Sequence, residues 1–186
     1  IRRSDAGLPQ PEPAVLRRIA VLFSQPPQAP NMLPDSLFCS FTGASAAVFR
    51  LRDAEVGDCA LRGRIVIYGD ELRIDSTCRM EHPLVVARKI TVASGARVAA
   101  QLFACDTLVV EPRAVLEYPS GIYAQQYAEV GDRAEVNGYA VVCDTVRRKK
   151  ITANYRQSRT ARLRGLVWVN GVAQVQGIVA GRAFLR

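Results

Sequence analysis

Histidine, lysine and tryptophan are nearly missing from this 186-residue chain, which holds only His82, Trp168 and the lysines Lys89, Lys149 and Lys150. A single histidine rules out a multi-histidine metal centre and leaves one candidate for histidine general-base chemistry. No apolar run nears the ~18 to 20 residues that a membrane-crossing helix requires. The five cysteines, Cys39, Cys59, Cys78, Cys105 and Cys143, cannot all pair with one another, and none lies in a CxxC or close Cys/His spacing, so no metal or redox motif is visible. A buried thiol packs as a small hydrophobe, which makes a core role the default; one or two disulfides in an envelope compartment are the alternative. Aromatic residues are scarce too, at 7% against 49% hydrophobic overall, and Val, Ala, Leu and Ile supply most of the apolar share. That mixture suits a narrow β core in a single globular domain.

Acidic residues are outnumbered, 17 against 25 basic, which gives a net charge of +8 and a pI near 9.7. The excess is local. Arg147, Arg148, Lys149, Lys150, Arg156, Arg159, Arg162 and Arg164 follow one another between Val146 and Arg164 without an acid. Such a field attracts anionic lipid, acidic glycan or, less favoured here, nucleic acid, and it weakens with salt; a solvated loop is the commoner reason for a basic run.

Residues 1–40 read as a separate arm, with Pro9, Pro11 and Pro13 before and Pro26, Pro27, Pro30 and Pro34 after a short pattern of helical period. Within it Val15, Leu16, Ile19, Leu22 and Phe23 share one face, which predicts an amphipathic helix over 14–24. A helix so short is marginal alone and is expected to pack on or cap a larger body. The polar, proline-bearing start at Ile1 suits a segment leaving an export signal or membrane anchor.

From residue 41 to 186 the texture is short Val/Ile/Leu runs broken by Gly, Asp or Pro. Val66 to Ile74, Thr91 to Ala99, Val109 to Glu117, Glu129 to Asn137 and Trp168 to Gln176 each read as strand, tight turn, strand. Anchors at Ile67, Val92, Val110, Val130 and Val169, the steps between Cys39, Cys59 and Cys78, and the repeated Cys105-Asp106-Thr107 and Cys143-Asp144-Thr145 suggest a period of about 19 to 20 residues, or twice that. This predicts an all-β fold, a single-stranded parallel β-helix with about 19 to 20 residues per coil, in which equivalent residues stack inside. An antiparallel barrel or sandwich is the rival. The basic run would form an extra coil or a hairpin extruded from the wall.

No catalytic constellation assembles, and no metal or cofactor is expected. Val130 to Glu135 and Val136 to Val141 look like two hexapeptide repeats of the kind found in acyltransferases, whose general base is commonly a histidine; His82, beside Pro83, reads better as a turn residue. The acids are dispersed, and Asp106 and Asp144 read better as turn formers than as a carboxylate pair. Tyr118, Tyr123 and Tyr127 gather around Pro119 and Gly121 and are candidates for a glycan- or partner-binding loop, with a loop packed on the flank as the alternative.

The segments Leu102 to Pro112, Leu116 to Tyr123, Glu135 to Tyr139 and Val172 to Val179 resemble a group of Bacteroidetes cell-envelope proteins and, more remotely, the bactofilins, which are polymer-forming cytoskeletal β-helices. The likeness spans about residues 60–183. For the envelope group it implies a membrane anchor and a periplasmic scaffold; for bactofilins it implies end-to-end stacking without nucleotide or metal. Neither has a catalytic residue set to carry over. The expectation is therefore a non-enzymatic scaffold of the cell envelope that binds itself or other envelope proteins, with a cytoplasmic setting as the alternative. A polysaccharide-binding or carbohydrate-active β-helix and an anionic-surface binder are the rival functions.

Overall fold

The structure is a computed structural model that describes residues 33–42, 46–143 and 153–185. The expected helix over 14–24 and most of the arm lie outside these residues. Strands β1 (Ser36–Cys39), β2 (Ala47–Arg50) and β3 (Ala54–Val56) make the first coil, and β4 (Ala60–Gly63) and β5 (Ile65–Ile74) the second. The third and fourth coils are the long bent strands β6 (Arg79–Val92) and β7 (Arg97–Val110). The next three are β8 (Val115–Ala124) with β9 (Tyr127–Val130), β10 (Glu135–Cys143) with β11 (Tyr155–Gln157), and β12 (Arg162–Asn170) with β13 (Ala173–Val175). A last strand, β14 (Ile178–Leu185), opens a further turn.

Every pairing is parallel, and the strands of each coil pair only with those of the coils before and after it. The chain is a β-solenoid of about seven turns, as its periodicity predicts. Its first strand, β1, pairs with β4 and so belongs to the solenoid although it falls within residues 1–40.

Inward side chains stack in columns because alternate residues of a strand face the same side and the coils are in register. Leu37, Leu61, Met80, Val98, Leu116, Val136, Leu163 and Val179 form one column. Phe49, Ile67, Val85, Leu102, Ile122, Ala140, Val167 and Ala183 form a second. At the turn between coils, Cys78, Ala96, Ala114, Ala134 and Ala161 each donate their amide to the carbonyl three residues earlier, at 3.0–3.2 Å, so one small residue closes the same turn repeatedly. Volumes compensate along the interior. Buried Tyr155 sits between Ala128 and Ala173, and buried Gln157, two residues along the same strand, has its polar atoms paired: its amide donates to the carbonyls of Ala161 and Ile178, and its oxygen accepts from the Tyr155 hydroxyl.

The register corrects the alignment of the repeat. Val92, Val110 and Val130 do stack, but their equivalents are Val56, Ile74, Gln157 and Val175 rather than Ile67 and Val169, which belong to other columns. The steps from Val56 to Val175 are 18, 18, 18, 20, 27 and 18 residues. The 20-residue step holds extra residues around Tyr118, and the 27-residue step holds the start of the basic run. That run is therefore not a coil of its own: Tyr155 to Gln157 finish the sixth coil and Arg162 begins the seventh.

Candidate functional site

The strands that carry the Phe49–Ala183 column bear apolar residues outward as well as inward. Tyr68, Val86, Phe103, Tyr123, Val141, Trp168 and Phe184 follow one another on the outer surface, beside a column containing Val48, Val66, Leu84, Tyr139 and Leu166. Val86, in the middle, is only 1% exposed, and Phe103 stacks on Tyr123 with centroids 5.4 Å apart. Burial pushes the Tyr123 phenol up to about 12, with the Cys143 and Cys105 thiols nearby adding to the shift. The sequence signal for this wall is the continuous apolar run, as in Ile65-Val66-Ile67-Tyr68 or Leu166-Val167-Trp168-Val169, which marks strands covered on both faces.

A polar clamp crosses this wall. The Tyr139 ring lies over Gly121, where a Cβ would fall 2.1 Å from a ring carbon, and its hydroxyl donates to Gln101 Oε1 at 2.5 Å, two coils away. Gln101 Nε2 in turn donates to the Pro119 carbonyl at 2.8 Å, and buried Ser120 accepts from the Ala100 amide at 3.1 Å. These bonds hold the bulge that contains the cis Tyr118-Pro119 peptide.

The expected tyrosine loop is in fact strand, and its members part company. Tyr118, 81% exposed, stands on the bulge of β8; Tyr123 belongs to the outward wall; Tyr127, on β9, donates to Glu129 Oε2 at 2.6 Å. Period-two alternation and a coil corner separate them, so they do not form one platform.

Of the basic candidates, Arg147, Arg148, Lys149 and Lys150 lie outside the described residues. Arg156, Arg159, Arg162 and Arg164 are all exposed, but they run around the coil rather than forming one cluster. Arg156 is on β11 with Gln174 3.4 Å away, Arg159 is in the following turn, and Arg162 and Arg164 are on β12, with Arg162 3.9 Å from Glu135. The first three coils bring together another exposed group: His82 of β6, at φ 69°, meets Phe41 edge-on at 5.5 Å, and Arg62 of β4 lies over Phe38 of β1 at 5.8 Å. Asp106 accepts from Thr107 and lies 4.0 Å from Arg88; Asp144 is outside the described residues. Among the described residues no group of three His, Cys, Asp or Glu side chains could hold a metal ion, and no helix is long and apolar enough to cross a membrane.

The two ends of the described rod differ. In the first coil Phe49, Leu51 and Val56 are buried, although they begin their columns. At the far end Val175, Ile178 and Leu185 are 41%, 57% and 59% exposed, and β14 pairs with β12 alone, so one whole edge of it has no strand partner among the described residues. No protein-family model, curated protein or solved structure matches the chain.

Proposed function

We propose that the protein is a non-enzymatic scaffold: a rigid β-helical rod of the cell envelope that joins a second copy of itself through its C-terminal coil. The observation that carries this reading is the last described coil, where Val172, Val175, Ile178 and Leu185 are exposed beside an edge of β14 that has no strand partner among the described residues. An unpaired strand edge is a template for another strand, and an apolar patch beside it adds area that water disfavours. An uncovered coil of a solenoid needs a polar cap or a partner, and Val175 and Leu185 continue the columns of Gln157 and Val169, which the preceding coils bury. The remote likeness to end-to-end stacking β-helices supports the same reading. Contact between two like ends is isologous, so it closes as a two-fold dimer, and the rod extends further only if the first-coil end also binds.

Light scattering coupled to gel filtration, over a hundredfold range of concentration, tests this. The expected mass rises from 20.4 kDa to twice that value, and Ile178→Arg with Leu185→Arg holds it at the monomer. A wild-type chain that stays monomeric at every concentration, or a variant that associates as well as wild type, refutes the proposal.

A further inference from the structure

Two thiols are in contact in the N-terminal part of the rod. Cys59 closes the turn after β3 and Cys78 the turn after β5; both are buried, 19 residues apart, with their Sγ atoms at 2.9 Å. The Arg79 amide donates to the Cys59 carbonyl at 2.8 Å, which makes the two cysteines equivalent members of adjacent rungs. Rungs are separated by about 4.8 Å, inside the ~4.4 to 6.8 Å between Cα atoms that a disulfide spans. In the next four turns the same position is held by Ala96, Ala114, Ala134 and Ala161, so packing there asks for a small residue and not for sulfur.

The other cysteines are placed differently. Cys39 is in register with Gly63 on another column. Cys105 and Cys143 follow Ala104 and Val142, which stack on either side of Ala124, so two rungs separate them, roughly 10 Å and beyond disulfide reach.

We propose that Cys59 and Cys78 are a covalent modification site, oxidised by a small-molecule disulfide to a bond that staples the first coil to the second. The Cys59 thiolate attacks one sulfur of the reagent, giving a mixed disulfide and releasing one thiolate. Cys78 then gives up its proton and attacks the Cys59 sulfur, displacing the second thiol. In sum, two protein thiols are oxidised, one disulfide reagent is reduced to two thiols, and the protein loses two hydrogens. The hydrogen bond from Cys78 lowers the Cys59 thiol below its ordinary range and raises Cys78, which favours Cys59 as the attacking group. The staple lies at the opposite end of the rod from β14 and does not depend on self-association.

The full chain is refolded from urea in a glutathione redox buffer or in excess reduced glutathione, quenched with acid, and alkylated under denaturing conditions. In the oxidising buffer the expected result is alkylation of three of the five thiols, a mass about 2 Da below that of the unlinked protein with the same number of alkyl groups, and one peptide linking residues 59 and 78. Amide exchange in Ala60–Gly63 should slow by about tenfold or more relative to the reduced protein. Cys59→Ala and Cys78→Ala, each installing the residue that later coils use, should retain all four remaining thiols. Alkylation of all five wild-type thiols after oxidation, a link that involves Cys39, Cys105 or Cys143, or a single variant that still loses two thiols overturns the assignment.

Discussion

Two glycines separate the cost of a backbone conformation from the cost of crowding between coils. Gly95 has φ 77°, and a Cβ there would meet nothing within 4 Å. Gly165 has φ 140°, and a Cβ would lie 1.7 Å from the Gly138 carbonyl oxygen in the preceding coil. Gly95→Ala therefore carries the left-handed penalty of about 1 to 2 kcal/mol, offset by roughly 0.4 to 1 kcal/mol from the stiffer unfolded chain, for a net near 1 kcal/mol. Gly165→Ala adds a contact with backbone, which no rotamer change relieves. The rungs must part by more than about 1 Å, which stretches the adjoining ladder bonds beyond hydrogen-bond range and brings the total to about 3 to 5 kcal/mol. Urea denaturation followed by circular dichroism, with a slope of about 2 kcal/mol/M, should move the midpoint by about 0.5 M for Gly95→Ala and by about 1.5 M or more for Gly165→Ala. Equal shifts, or a larger one at Gly95, would refute the reasoning that the corner glycines exist for close approach between coils.

Glu111 accepts both Arg73 guanidinium nitrogens, at 2.5 and 3.0 Å, and the Ser94 amide at 2.9 Å, and the Arg73 bond holds its carboxyl below the usual carboxylate range. The stability this contributes is present above the unfolded carboxyl value and is lost as pH falls through the folded one. Glu111→Gln should thus cost about 1 kcal/mol at pH 7, discounted for a partly exposed Arg73, and the gap to wild type should close below about pH 4 in denaturant titrations. Gly121→Val should cost about 1 to 3 kcal/mol by displacing the Tyr139 ring, and Tyr139→Ala in the same chain should recover part of it, measured as a double-mutant cycle. Leu102→Ala, fully buried between Val85 and Ile122, should cost about 2 to 5 kcal/mol in thermal or urea unfolding.

Strand texture and repeat length made the solenoid legible, because a parallel column demands like residues at a fixed step. The 19-residue step from Cys59 to Cys78 and the paired Cys-Asp-Thr cysteines fall where such stacking puts them. Register was harder to read. Within a strand the side chains alternate, so Ile67 and Val169 resemble Val92 in type while standing on other sides of the coil. The bulge at Tyr118-Pro119 and the long step after Cys143 add residues that no local pattern announces. The tyrosines were close in sequence but divided by a corner, and the exposed apolar end shows only in three dimensions, since Val175 and Leu185 are ordinary strand residues whose register partners Gln157 and Val169 are buried.

The unequal steps have a practical meaning. Glu135 to Cys143 keep unbroken register with Arg162 to Asn170 although the stretch between Val130 and Gln157 is half as long again as most steps. Length added between Cys143 and Tyr155 leaves the floors above and below in line, so sequence grafted between these two strands should leave the stack whole.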